Sequence, residues 1–156
     1  RRLFESPSSA SNAVFSPDGR FVAYVDNVSG QGEVVIRPFP GPGPLTPVSV
    51  GGAREPAWAR NGELFYRRLS DDMMMAVRVT TSPLLTVGPP IELFQGSGSQ
   101  DASPRAAYAV TADGQRFLLS GGRLGSGLMK NAAAARQKIT IVLNWVEELK
   151  QRVPRN

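Results

Sequence analysis

The sequence predicts an all-β chain, and three observations carry that expectation. A short phrase occurs three times: Ser16-Pro17-Asp18-Gly19-Arg20-Phe21-Val22-Ala23-Tyr24, then Ala59-Arg60-Asn61-Gly62-Glu63-Leu64-Phe65-Tyr66, then Thr111-Ala112-Asp113-Gly114-Gln115-Arg116-Phe117-Leu118-Leu119. Its glycines, at 19, 62 and 114, stand 43 and 52 residues apart. Sixteen glycines and thirteen prolines in 156 residues favour many turns over long helices. A turn dipeptide feeding an apolar strand, recurring at about forty residues, predicts the blades of a β-propeller. The expected fold is a partial propeller of about three four-stranded antiparallel blades with a short C-terminal helix.

Each element has its own local reason. First strands are expected at 12–15, 55–58 and 107–110, ahead of Asp18-Gly19, Asn61-Gly62 and Asp113-Gly114. Asp or Asn before Gly suits a tight hairpin, because such residues tolerate positive φ. Second strands follow at 21–25, 64–66 and 117–119. Their apolar runs lack the period-two alternation of a half-exposed strand, so they are expected to be covered on both faces.

Third strands are expected at 33–37, 73–79 and 138–143, rich in β-branched residues or methionine. Fourth strands are expected at 46–50 and 91–94. The prolines crowded before them suit only a blade edge, since proline cannot donate to a central ladder. The segment at 97–103 reads as a polar link, and 121–137 as an insertion within the third blade. Apolar residues at 145, 146, 149 and 153 predict the terminal helix over 145–153, with Asn144 as its cap.

The resulting division is a closing strand of a preceding blade at 1–6, blades at 12–50, 54–95 and 105–145, and the helix. The opening Arg1-Arg2-Leu3-Phe4 has mid-strand character, so the chain is expected to be a fragment of something longer. Three blades fall short of the four to eight of a closed ring. Either further blades complete it, or two copies pair through open blade edges as a homodimer.

Composition narrows the chemistry. No cysteine or histidine is present. Disulfides, thiolate zinc sites and a Ser-His-Asp triad are therefore excluded within this chain. No catalytic residue, metal ligand or cofactor is expected. The net charge of +5 comes from fifteen arginines and three lysines scattered along the sequence. That scatter reads as a solvated surface and gives no basis for nucleic-acid binding. No apolar run reaches membrane-spanning length, so no membrane insertion by this segment is expected.

Several motifs resolve into structural readings. Gly122 to Gly127 has phosphate-loop spacing, but Leu128-Met129 stand where Lys and Ser/Thr are needed. Asp71-Asp72 with Glu63 reads as a hairpin tip before it reads as a cation site. Met73-Met74-Met75 is expected to fill gaps between blades. Trp58 and Trp145 are expected as core anchors. Arg54, Arg60, Arg105 and Arg116 flank first strands or turns, where guanidinium groups can grip carboxylate or phosphate. The expected binding rim is Arg54, Glu55, Trp58 and Arg105, facing a protein or small-molecule ligand.

The phrase at 16–24 resembles the signature of TolB-type, WD40-like (PD40) β-propeller repeats, and the likeness runs through all three units. The stretches Asp72-Met73-Met74-Met75-Ala76-Val77 and Ile141-Val142-Leu143-Asn144-Trp145-Val146-Glu147-Glu148-Leu149 are similar to C-terminal propellers of bacterial serine/threonine kinase-linked sensor proteins. The resemblance implies a non-enzymatic interaction or sensing module, located outside the cytoplasmic membrane. The other readings are an accessory propeller gating substrate access to a prolyl-oligopeptidase-like hydrolase, or a self-assembling half-propeller.

Overall fold

The computed structural model describes residues 9–27, 30–95, 108–120 and 139–143, with position 120 and the last segment as backbone. These residues form twelve strands and no helix. The expected closing strand at 1–6, the expected insertion at 121–137 and the expected helix at 145–153 lie outside the described residues.

The first sheet contains β1 (Ala10–Phe15), β2 (Phe21–Asp26), β3 (Glu33–Pro38) and β4 (Thr46–Pro47), in chain order. The second contains β5 (Ala53–Trp58), β6 (Glu63–Arg68), β7 (Met73–Thr80), β8 (Thr86–Val87) and β9 (Ile91–Gln95). The third joins β10 (Tyr108–Val110), β11 (Arg116–Ser120) and β12 (Ile139–Leu143). Every pairing is antiparallel.

Two edges differ from the sequence expectation. The fourth strand of the first sheet was expected over 46–50 and spans only Thr46–Pro47. Beyond Pro47 the chain turns inward: the amides of Val48 and Ser49 both donate to the Val34 carbonyl, at 2.9 and 3.3 Å. The Ser49 hydroxyl accepts the Val34 amide at 2.8 Å and donates to the Glu33 carboxylate. In the second sheet, β7 carries two short edge strands, β9 along Met73–Ala76 and β8 along Val79–Thr80. The strand at 86–87 had no counterpart in the sequence reading.

Alternation along the strands sorts side chains into layers. Phe21, Ala23, Val25, Val34 and Ile36 face Leu64, Tyr66, Met75, Val77 and Val79, forming the core between the first and second sheets. The opposite face of the second sheet presents Phe65, Met74 and Ala76 to Tyr108, Phe117 and Leu119 of the third. Phe117 makes edge-on ring contacts with Phe65 and Phe94, at centroid distances of 5.0 and 5.2 Å. Val22, Tyr24 and Val35 form a smaller cluster on the far face of the first sheet, with Phe39 against it. All six residues of β2 are buried, which explains its unbroken apolar run. Met74 and Met75 point to opposite faces and fill one core each, as their adjacency in a strand requires.

The first two sheets share a backbone irregularity at the same distance from their turns. A bulge interrupts β1–β2 pairing between Ser11 and Val14, and another interrupts β5–β6 pairing between Arg54 and Ala57. Asn12 and Glu55, each seven residues before the turn glycine, have φ of 54° and 58°. The turns differ by one residue. The Ser16 and Thr111 amides reach the carbonyl five positions on, whereas Ala59 reaches Glu63, four positions on. Consequently Phe15 pairs with Val22, Trp58 with Leu64 and Val110 with Phe117. A one-residue slip would turn every side chain to the other face, so the shorter turn sets which residues of β6 meet which core.

Candidate functional site

The three turns lie along one edge and are tied to their neighbours. In the first, the Asp18 carboxylate accepts the Ser16 hydroxyl at 2.6 Å, the Arg20 amide at 3.1 Å and the Thr81 hydroxyl at 2.7 Å. The Arg20 guanidinium donates to the Thr81 carbonyl at 3.2 Å. Thr81 follows β7, so these bonds fasten the first sheet's turn to the second sheet. The Ser16 hydroxyl, with help from Thr81 and Arg20, holds the Asp18 pKa down at about 2 against the opposing effect of burial. Asp18 is therefore a fixed negative charge at neutral pH.

In the second turn, Asn61 Nδ2 donates to Glu63 at 2.8 Å and to the Asp113 carbonyl at 3.0 Å. The Arg60 amide donates to the Ala112 carbonyl at 2.8 Å. Arg78, across from it on β7, donates from Nη1 to the Asn61 carbonyl at 2.6 Å. The third turn repeats the chemistry of the first: the Thr111 hydroxyl donates to Asp113 at 2.5 Å and lowers its pKa.

Between the first and second turns lies an open cleft of about 500 Å³. Its apolar part is Pro17, Trp58 and Val79, and its cations are Arg60 and Arg78. Asp18, Asn61 and the hydroxyls of Thr80, Thr81 and Ser82 complete the polar lining. Arg60 is exposed, and its guanidinium makes no hydrogen bond or ion pair among the described residues. Such a wall offers hydrogen-bond donors and positive charge beside an indole ring, a composition suited to holding a polar ligand with a flat apolar part.

Of the four residues expected to form a rim, Arg54, Glu55 and Trp58 lie among the described residues. Arg54 and Glu55 sit at the start of β5 and enter an ion-pair cluster with Arg67 and Asp72. Arg67, only 2% exposed, donates to Glu55 at 3.2 Å and to Asp72, while Arg54 reaches Asp72 at 3.4 Å. The Tyr108 hydroxyl donates to the Glu55 carbonyl at 2.6 Å, and burial pushes its pKa well up. This cluster fastens the third sheet to the second. Trp58 ends β5 and packs against the other core, where it lines the cleft. Arg105 lies outside the described residues.

The hairpin-tip carboxylates are likewise engaged by cations. Asp71 binds Arg68, which holds its pKa at about 2, and Arg68 also bonds Glu92. No group of three acidic, histidine or cysteine side chains is gathered for a metal ion among the described residues. Sequence reasoning did not anticipate Asn61, Arg78 or the Thr80-Thr81-Ser82 run as cleft residues. A signal for Arg78 was present: it is the one charged, exposed residue in the otherwise buried run 74–79.

No protein-family model matches the sequence, and no curated protein matches it.

Proposed function

We propose that this chain is a segment of a TolB-like β-propeller and works as a non-catalytic recognition module, its sheets being successive blades. The observation that supports the architecture is the recurrence, in the first two sheets, of a bulged first strand with positive φ seven residues before the turn glycine. Packing of each sheet face to face on the next, with the first three strands of each running in chain order, supports it further. The recognition role rests on the cleft, where Arg60 of the second turn and Arg78, Thr80, Thr81 and Ser82 of β7 and its end surround Trp58. In this reading the module belongs to a larger protein, such as a bacterial kinase-linked sensor, and supplies binding while another domain supplies chemistry.

Two measurements test the proposal. Thermal-shift screening against small polar compounds should raise the melting temperature, and mass spectrometry should then recover each bound compound unchanged. Chemical conversion of a compound by this chain would sink the non-catalytic reading. Light scattering coupled to size exclusion addresses the architecture. A mass near twice 16.8 kDa that survives dilution would support closure of a ring from two such segments.

A further inference from the structure

Building on the recognition reading, we infer that the cleft between the first two turns is an anion site, taking a small ligand with a carboxylate or phosphate group on a flat apolar body. Three observations carry this. Arg60 and Arg78 both line the cleft against a single carboxylate, Asp18. That carboxylate stays ionised but is held in the turn by the Ser16 hydroxyl, the Arg20 amide and the Thr81 hydroxyl, so the two guanidinium groups outnumber it. The Arg60 guanidinium has no partner among the described residues, whereas those of Arg54, Arg67 and Arg68 in the same sheet all pair with acids.

The two cations are also positioned differently. Arg78 is braced on the Asn61 carbonyl through Nη1, which leaves the rest of its planar fork to receive an oxyanion. Arg60 follows Ala59, whose amide is fixed to Glu63, and its own amide is fixed to Ala112. The backbone beneath its side chain is thus held from both sides. Guanidinium groups bind carboxylate and phosphate through paired N–H donors, and hydroxyls such as those of Thr80 and Ser82 supply further donors. Trp58 and Pro17 give the ligand's uncharged part an apolar surface, which fits an aromatic or other flat body better than a fully hydrated anion.

The test uses three probes of similar shape on the intact chain: phenylacetate, phenyl phosphate and the neutral phenylacetamide. Binding is followed by calorimetry and by the indole N–H resonance of Trp58. At least one anion should saturate and shift that resonance, and the neutral amide should bind at least about tenfold more weakly. Arg60→Gln should lose about tenfold in anion affinity with an unchanged melting temperature, and Arg78→Gln serves as the second variant. Tighter binding of phenyl phosphate identifies a phosphate ester as the natural group, and tighter binding of phenylacetate a carboxylate. Equal affinity for the amide, full affinity in both variants, or failure of both anions to saturate would overturn the inference. Release of phenol from phenyl phosphate would leave the anion site standing and overturn only the non-catalytic reading.

Discussion

Asn61 Nδ2 donates to the backbone carbonyl of Asp113 at 3.0 Å, joining the second sheet's turn to the third's. This bond explains why the second turn carries Asn where the others carry Asp. In the first and third turns, Asp18 and Asp113 accept from a hydroxyl two residues earlier, on Ser16 and Thr111. In the second turn that position is Ala59, which has no hydroxyl to offer. The side chain instead donates outward from Nδ2, while its Oδ1 accepts the Glu63 amide at 3.0 Å.

Asn61→Ala should therefore cost about 1–2 kcal/mol, the usual range for losing a small set of partly exposed hydrogen bonds. Asn61→Asp should be worse than alanine, because it turns an oxygen toward both Glu63 and the Asp113 carbonyl. Urea denaturation of the two variants checks the order. Greater stability of the aspartate variant would mean that these bonds do not hold the turns together.

Gly19 and Gly114 separate backbone strain from crowding. Both have positive φ, 69° and 74°. A Cβ at Gly19 meets nothing within 4 Å, whereas one at Gly114 would lie 2.9 Å from Glu63 Oε2 and 3.0 Å from Asn61 Nδ2. Gly19→Ala should cost about 1–2 kcal/mol from the left-handed backbone alone. Gly114→Ala should cost more and should also raise the hydrogen-exchange rate of the Arg60 amide, which bonds to Ala112 beside it.

Among the described residues Arg67 is the largest fully buried side chain, and it pairs with Glu55 at 3.2 Å. Arg67→Met should destabilise the fold by about 3–5 kcal/mol, because Glu55 would remain buried without its cation. Combining it with Glu55→Gln should recover part of that loss. Chemical denaturation of the single and double variants measures the coupling; simple additivity would show that the pair does not act as a unit.

Acid should weaken the fold in a defined window. Asp18 has its folded pKa lowered from the ordinary 3.8 to about 2, chiefly by the Ser16 hydroxyl. A depressed folded pKa means that the unfolded chain takes up the proton first. The contribution is thus present above about pH 3.8 and is lost as pH falls from there through about 2. Asp71, held at about 2 by Arg68, acts in the same direction. Ser16→Ala should bring the Asp18 pKa back toward 3.8 and flatten this part of the stability profile, as followed by carboxyl NMR titration and by urea midpoints across the window.

Elements whose causes are local were legible in the linear chain. Asp-Gly and Asn-Gly set the three turns, and the apolar and β-branched runs beside them became β2, β6, β7 and β11 within a residue or two of their expected bounds. Arg60 and Trp58 could be singled out because a cation or aromatic beside a turn is visible in a linear string. Tertiary structure decided the rest. Which face of β6 meets which core depends on a turn shorter by one residue, and the ladder of paired strands fixes that length. Glu55 became an internal ion-pair partner because a bulge and Arg67, twelve positions on, brought opposite charges into a buried layer. The cleft gathers Asp18, Trp58, Arg78 and Thr81 from two sheets. Their proximity comes from long-range packing, which no local spacing encodes.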